Sequence, residues 1–309
     1  MSSEVHAAID IGTNTVLLLV AVKHEQVLEP ILEEQRIPRL GKGVDASGNL
    51  SETSTERVLD VLKEYRHILN ADFPNVQNIS VTATSAVRDA GNRDYFVDKV
   101  KEETGFELKV LSGKQEAELT FQGALSMLAE LDDAAVIDIG GGSTEIAYGK
   151  KGKLLDSHSF NMGSVRFTER FISSDPAEKE QVISCRNEIK NILYTRPFEF
   201  GRDSKKMNLI GVAGTVTSLA YIDLGLLRYD TDQINGYRLS RNDIKEWVAK
   251  ISMTKVKTLE EQYPEVMKGR AEVILAGVLI LDEFMDFYGI PELRVSTGGI
   301  RHGAILQAN

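Results

Sequence analysis

The strongest constraint on the fold is a short pattern that occurs twice in the chain. Ile9-Asp10-Ile11-Gly12 and Ile137-Asp138-Ile139-Gly140 each place an aspartate near the end of an apolar run that leads into a turn of small residues. A second apolar run follows each turn, which predicts a hairpin-like return strand. An internal repeat of this kind predicts two related domains that face one another.

The second copy of the pattern indicates what the turn is for. Three consecutive glycines, Gly140 to Gly142, lack Cβ atoms, so their N–H groups can point at one ligand and form an anion-binding concavity. Asp138 precedes this cradle, and Ser143, Thr144 and Glu145 follow it. The stretch therefore offers an anion cradle, a metal-holding carboxylate and a second acid.

Length and composition set the frame for this repeat. A chain of 309 residues is expected to hold two domains of roughly 100 to 200 residues each. Strands that alternate with amphipathic helices predict an α/β protein, in which each half is a mixed sheet flanked by helices and the turns face a shared cleft.

Charge and rare residues exclude several classes of protein. The net charge of −10 argues against a nucleic-acid-binding surface, so an anionic substrate would need a local basic pocket. The single cysteine, Cys185, excludes an intrachain disulfide framework and favours a cytoplasmic protein. No signal peptide is visible, and the run from Val16 to Val22 is too short to span a membrane. Scattered histidines favour oxygen ligands and Mg²⁺ over a histidine metal site.

Two further segments carry candidate residues that are weak when taken alone. Ser85 and Arg88 follow a predicted strand, and arginine offers a planar fork to two phosphate oxygens, although an exposed salt bridge on a helix explains the stretch better. Ser112 and Gln115 fit a helix capping box. This places Glu116 in the first helical turn, where the helix dipole alone would account for an acid.

Three glycine-containing segments complete the pattern. Gly214 and Thr215 lie between a strand and a helix, and helix N-termini after such turns bind anions. The basic loop from Arg36 to Gly43 is equally well explained as a solvated connection or as a phosphate-contacting loop. The run from Gly298 to Gly303 predicts a last glycine turn before a short helix.

Six of these segments resemble the exopolyphosphatase/guanosine pentaphosphate phosphohydrolase (Ppx/GppA) family, and the resemblance runs from about residue 7 to residue 304. No single turn is specific, but the order of the six is. They are Ile9–Thr15, Ala83–Arg88, Ser112-Gly113 with Glu116-Ala117, Ile137–Glu145, Gly211–Thr215 and Gly298–Gly303. The resemblance implies duplicated ribonuclease H-like domains of the actin-like, sugar kinase and Hsp70 superfamily. The implied boundaries are residues 1–124 with a C-terminal helix at about 302–309 for the first domain, and 125–301 for the second.

The resemblance also implies the chemistry. It implies Mg²⁺-dependent release of terminal phosphate from inorganic polyphosphate, from guanosine pentaphosphate, or from both, with guanosine tetraphosphate as a related ligand. Glu116 resembles the acid that orients or deprotonates the attacking water, and Glu145 resembles a second catalytic glutamate. The implied metal-holding carboxylates are Asp10, Asp138 and Glu145. The implied phosphate-binding residues are Thr13, Asn14, Ser85, Arg88, Gly140, Gly141, Gly142, Ser143, Thr144, Gly214 and Thr215. No nucleic acid or membrane partner is expected, and a homodimer is left open.

The chain departs from the family pattern at a few positions. Gln115 stands where many members have a glutamate, Asn235 where a histidine is usual, and Ala213 where a glycine is common. Longer members carry an additional helical C-terminal region, and a chain that stops at Asn309 favours short polyphosphates or a nucleotide.

Two other functions fit the same turns. An ATP-dependent kinase of the superfamily shares both Asp-x-Gly turns but would not need the pair Glu116 and Glu145. A non-catalytic receptor for guanosine alarmones would use the phosphate turns without turnover, and retention of both glutamates argues against it.

Overall fold

The computed structural model describes residues 4–25, 27–128, 131–200 and 207–308. The chain forms two compact units, which we call unit 1 (Met1–Ser126 and Gly298–Asn309) and unit 2 (Met127–Thr297). The chain thus leaves unit 1 once, completes unit 2, and returns to unit 1 for its last helix.

Unit 1 is built from ten elements before the chain leaves it. They are β1 (Glu4–Ile11), β2 (Val16–His24), β3 (Val27–Arg36), α1 (Val44–Ser47), α2 (Glu52–Asp72), β4 (Asn78–Ala83), α3 (Ser85–Arg88), α4 (Arg93–Thr104), β5 (Leu108–Val110) and α5 (Gly113–Ser126).

Unit 2 follows, and the chain then returns to unit 1. The elements of unit 2 are β6 (Asp133–Ile139), β7 (Thr144–Lys150), β8 (Lys153–Phe160), α6 (Ser164–Phe171), α7 (Lys179–Thr195), β9 (Asn208–Val212), α8 (Ala213–Asp223), α9 (Thr231–Ile234), β10 (Arg238–Ser240), α10 (Arg241–Ser252), α11 (Val256–Gln262), α12 (Pro264–Met267), α13 (Ala271–Tyr288) and β11 (Glu292–Val295). Helix α14 (Ile300–Gln307) completes unit 1.

The sheet of unit 1 has the order β3-β2-β1-β4-β5. Strands β1, β2 and β3 are antiparallel neighbours, whereas β4 and β5 run parallel to β1. The apolar runs of β1 and β2 are buried because helices cover both faces of the sheet. The carboxyl ends of β1, β4 and β5 therefore meet at one edge, where the Gly12 turn, Ser85 and Ser112 follow.

Two groups of helices cover this sheet. Helix α2 begins at the cap Ser51, whose Oγ accepts a bond from Ser54 N (3.2 Å), and its apolar stripe packs on one face with Tyr65 buried in the core. Helices α5 and α14 cover the other face through Leu119, Ile300 and Ile305. The last helix thus belongs to the core of unit 1.

The sheet of unit 2 repeats this topology with one added strand. Its order is β10-β11-β9-β6-β7-β8, with β6, β7 and β8 antiparallel and with β9 and β11 parallel to β6. The largely apolar helix α13 lies in the core beside α6, α7, α8 and α10. The prediction of two mixed sheets flanked by helices is confirmed.

Several elements differ from the expectations drawn from the sequence. Strand β3 extends to Arg36, so this arginine lies in a strand rather than in the basic loop. Strand β8 was not predicted, because as an edge strand it carries many polar residues and shows no apolar run. Within the described residues, no helix combines the length and the apolar character that crossing a membrane would require.

Candidate active site

The acidic turn of unit 1 joins β1 to β2. Gly12 N donates to the carbonyl of Thr15 (2.8 Å), which closes the turn directly after Asp10 and Ile11. The side chain of Thr13 is buried, and its Oγ1 lies 3.0 Å from Oγ of Ser85. The structure therefore brings together two hydroxyls that are separated by 72 residues in sequence.

Arg88 and Glu116 form an ion pair at the same edge of the sheet. Nη1 of Arg88 donates to Oε2 of Glu116 (2.7 Å) and to the carbonyl of Leu111 (3.2 Å). Glu116 is only 5 % exposed, whereas the Arg88 side chain keeps 20 % of its surface accessible. The arginine is indeed in a salt bridge with an exposed neighbour, Asp89 (Nε to Oδ1 3.7 Å), but it also pairs with the buried glutamate.

The predicted capping box places Glu116. Gln115 N donates to Oγ of Ser112 (3.3 Å), and Oε1 of Gln115 accepts from Ser112 N (3.0 Å). Gln115 is exposed and committed to this cap. The departure of Gln115 from the family pattern is thus accounted for by helix capping.

The corresponding turn of unit 2 joins β6 to β7. Gly140 N donates to the carbonyl of Ser143 (3.0 Å), the same bond that closes the turn of unit 1. Asp138 and Glu145 are direct partners in the antiparallel ladder, so their side chains lie on one face of the sheet. Both residues are buried, Glu145 with 1 % exposure.

Some polar side chains around this acid pair are hydrogen-bonded within the protein, and one is not. Oγ of Ser159 donates to Oε1 of Glu145 (2.6 Å), which fixes that carboxylate. The hydroxyl of Thr144 donates to the carbonyl of Met162 (2.7 Å) and is committed to the fold. Oγ of Ser143 is buried and has no hydrogen-bond partner among the described residues. This hydroxyl beside the glycine turn could therefore bind a ligand.

Gly163 and the first turn of α6 pack against the glycine turn and bind its carbonyls. Val165 N and Arg166 N both donate to the carbonyl of Gly141 (2.8 and 3.0 Å), and Nε of Arg166 donates to the carbonyl of Gly142 (2.7 Å). A Cβ at Gly163 would lie 2.5 Å from that carbonyl oxygen of Gly141. The carbonyls are thereby tied back into the protein; sequence reasoning did not identify Arg166 because its partner depends on this tertiary contact.

The predicted turn at Gly214 and Thr215 contains a cation that the sequence did not reveal. Ala213 adopts a left-handed backbone conformation (φ 64°) between β9 and α8. A Cβ at Gly214 would lie 2.8 Å from Cζ of Arg270, so the guanidinium packs directly against this glycine. Burial lowers the pKa of Arg270, but a guanidinium remains charged at any physiological pH. Its only sequence signal is an arginine immediately before a long apolar helix.

The side chain of Asn235 forms hydrogen bonds within unit 2. Its Nδ2 donates to the carbonyl of Met127 (2.6 Å), and its Oδ1 accepts from Thr297 N (3.2 Å). These are the first and last residues of unit 2. Asn235 thus joins the two ends of the unit.

No ready-made metal cage of three or more His, Cys, Asp or Glu side chains occurs in the part of the chain that the structure describes. Asp138 and Glu145 form an opposed pair of carboxylates, and Asp10 occupies the corresponding position before the turn of unit 1. One or two carboxylates are the protein contribution that Mg²⁺ commonly has when phosphate oxygens and water complete its shell.

The repeated sheet order and paired acidic turns define the class of actin-like, duplicated α/β folds. Comparison with known proteins gives the family: the model of the Ppx/GppA phosphatase family matches residues 19–309. The chain therefore belongs to the Ppx/GppA phosphatase family.

Three relatives illustrate the similarity. Exopolyphosphatase 2 of Mycobacterium tuberculosis is 34 % identical over 321 residues, which cover 97 % of each chain. A bifunctional 3-dehydroquinate synthase/phosphatase of Fusobacterium nucleatum is also 34 % identical, and the match covers 97 % of this chain but 46 % of that longer protein. The crystal structure of the Aquifex aeolicus Ppx/GppA family member superimposes with a TM-score of 0.81 at 31 % identity, covering 99 % of this chain and 97 % of the other.

Proposed function

We propose that this protein is a Mg²⁺-dependent exopolyphosphatase that hydrolyses the terminal phosphoanhydride bond of short inorganic polyphosphates, of guanosine pentaphosphate, or of both. The observation that carries the proposal is the buried carboxylate of Glu116, held 2.7 Å from Arg88 at the sheet edge that also carries the Thr13 and Ser85 hydroxyls. The match to exopolyphosphatase 2 over nearly the whole chain supports polyphosphate as the substrate class.

Glu116 is the proposed residue that activates water. A carboxylate that aligns and deprotonates an attacking water contributes a factor of about 10² to 10⁴ in rate. The Arg88 guanidinium holds the Glu116 carboxylate in one orientation through a charge-assisted hydrogen bond. Arg88 is also partly exposed, which leaves it positioned to contact a phosphate oxygen.

The turns are the proposed phosphate cradles. Phosphoryl transfer needs positioning and charge stabilisation on oxygens rather than covalent help from the protein. In unit 2 the backbone N–H groups of Gly141 and Gly142 and the unpartnered Oγ of Ser143 are suitable donors. Arg270 beside Gly214 adds the local positive charge that an acidic protein needs in order to bind a polyanion.

Asp138 and Glu145 are the residues of unit 2 that we expect to hold Mg²⁺, and Asp10 is the corresponding carboxylate of unit 1. Two like charges placed directly across a ladder destabilise the sheet unless a cation lies between them or near them. The metal would supply charge neutralisation on the phosphate oxygens.

A phosphate-release assay tests the proposal. Purified full-length protein with Mg²⁺ should release phosphate from polyphosphates of defined length, from guanosine pentaphosphate, or from both substrates. Absence of release from every polyanion, with tight binding of guanosine tetraphosphate, would indicate the alarmone receptor instead. Transfer of phosphate from ATP to a sugar would indicate the kinase.

A further inference from the structure

The basic loop after β3 packs directly on the acidic turn of unit 1. Arg39 N donates to the carbonyl of Asn14 (3.1 Å), and Gly41 N donates to the carbonyl of Thr13 (2.8 Å). A Cβ at Gly41 would lie 2.2 Å from Cγ2 of Thr13. On the other side, Nε of Arg57 holds the carbonyl of Pro38 (2.8 Å), so the loop is fixed on both sides of Arg39.

Arg39 is held in a backbone conformation that L-residues rarely adopt. Its φ is 56°, and the other non-glycine residues with positive φ in the described chain are Glu25, Lys151 and Ala213. Glu25 and Lys151 lie in hairpin turns, where such angles are expected. The remaining two, Arg39 and Ala213, adjoin candidate phosphate turns. Backbone strain clusters at functional sites, and of these two residues only Arg39 has a side chain that could bind a ligand.

Comparison with unit 2 shows that the Arg39 side chain is not needed to bind the carbonyl of the turn. By the repeat, Asn14 corresponds to Gly142, whose carbonyl accepts a bond from the side chain of Arg166. In unit 1 the backbone N–H of Arg39 takes over that bond. A glycine at position 39 would make the same bond without strain, as Gly43 (φ 76°) shows in the same loop.

We propose that Arg39 is a phosphate-binding residue of the unit 1 turn, whose guanidinium binds oxygens of a phosphoryl group held at Thr13 and Asn14. The inference rests on the proposed function and adds a specific residue to it. The side chain of Arg39 is half-buried, and its backbone is hydrogen-bonded to Asn14 of the turn. The planar guanidinium group can bind two phosphate oxygens at once.

Replacement by glycine separates binding from backbone strain. Arg39→Gly removes the cation and relieves the left-handed backbone, and Lys151→Gly does both in an exposed hairpin turn of unit 2. Binding of tripolyphosphate to each protein is measured by calorimetry with Mg²⁺ in the Glu116→Gln background, and thermal stability is measured in parallel. Arg39→Lys tests partial rescue by charge alone.

Arg39→Gly should raise the dissociation constant for tripolyphosphate about tenfold or more, since loss of one charge-assisted contact is worth that factor. Its melting temperature should stay level or rise. Lys151→Gly should bind normally, and Arg39→Lys should fall between.

Equal affinity in Arg39→Gly and Lys151→Gly overturns the inference. Arg39-dependent binding by a wild-type protein that releases no phosphate would refute hydrolysis but not this residue's role. Absence of tripolyphosphate binding by the Glu116→Gln protein and the wild type would refute both.

Discussion

The two units share a sheet order and a turn geometry but carry their acids differently. Asp138 in unit 2 faces Glu145 across the ladder, whereas Asp10 in unit 1 faces Leu17. Unit 1 instead presents Glu116 from a helix, paired with Arg88. The two units therefore share the turn but differ in where the second acid lies. Unit 2 has two opposed carboxylates, which suit a cation. Unit 1 has a carboxylate paired with an arginine, which suits proton transfer.

The loops that support the two turns differ in the same way. In unit 2 Gly163 packs against the backbone of Gly141 and Gly142, whereas in unit 1 Gly41 packs against the side chain of Thr13. At this glycine contact, unit 2 therefore places backbone against the glycine, whereas unit 1 places a side chain there. This contrast and that of the acids can be tested separately.

The largest effects are expected from the two glutamates. Glu116→Gln and Glu145→Gln should each lower kcat by about 10² to 10⁴ with the fold intact, because each removes a carboxylate and keeps its shape. If the units divide the chemistry as proposed, excess Mg²⁺ should restore part of the activity of Glu145→Gln and none of that of Glu116→Gln.

Phosphate release measured against Mg²⁺ concentration, with circular dichroism of each variant, checks this expectation. Gln115→Glu is the matched control, since glutamate also completes a capping box, and its kcat should stay within about twofold of wild type. Near-wild-type release by both glutamine variants would remove the hydrolase proposal.

Alanine at the supporting glycines should distinguish the two loops. Gly163→Ala meets a backbone carbonyl at 2.5 Å and should cost about 2 to 3 kcal/mol of unfolding free energy, because backbone cannot move aside cheaply. Gly41→Ala meets the Thr13 methyl and should cost about 1 to 2 kcal/mol. Thr13→Ser removes that methyl, so the double variant Gly41→Ala/Thr13→Ser should recover most of the loss.

Urea denaturation of the single and double variants measures these differences. Equal costs at both glycines, with no recovery from Thr13→Ser, would show that the loop of unit 1 is as rigid as that of unit 2.

Acid should act on His302, a buried histidine of unit 1, more than on His158, a partly exposed histidine of unit 2. Burial, with a smaller contribution from the Arg301 charge, lowers the pKa of His302 from 6.5 to about 3. As pH falls from 6.5 toward 3, the unfolded chain binds a proton that the native state does not, so stability present above pH 6.5 is progressively lost. At pH 5 this loss amounts to roughly 2 kcal/mol.

His302→Gln should therefore flatten the decline of stability between pH 7 and pH 5, measured by denaturation at each pH. His158→Gln is the control in unit 2: burial lowers the pKa of His158 as well, but the half-buried ring should contribute less. An unchanged slope in His302→Gln would show that His302 is protonated in the native state.

The smallest effect is expected at Ala213, the strained residue of unit 2 beside a candidate phosphate turn. Ala213→Gly removes the cost of a left-handed Cβ (φ 64°) and should stabilise the protein by about 0.5 kcal/mol, since the greater freedom of glycine in the unfolded chain offsets part of the gain. Ala220→Gly, in the interior of the same helix, is the same chemical change and should destabilise by about 1 kcal/mol. In thermal melts, the melting temperature should rise for Ala213→Gly and fall for Ala220→Gly.

Local patterns predicted much of this fold, and long-range contacts account for what they missed. Apolar runs ending in Asp-x-Gly located β1 and β6, and Ser112 with Gln115 located the start of α5. Both succeeded because strand ends and helix caps depend on residues that are close in sequence. The pairing of Arg88 with Glu116, 28 residues apart, depends on β4 lying beside β5. Arg166 and Arg270 were missed for the same reason, since their partners lie on other elements.

Asn235 has a consequence for how the chain can be rearranged. One amide side chain reaches both Met127 and Thr297, so the points where the polypeptide enters and leaves unit 2 lie on either side of a single amide group. Unit 2 is in effect an insert with adjoining ends, and insertion at neighbouring points perturbs a host least. The same adjacency offers a natural location for new termini in a circularly permuted molecule.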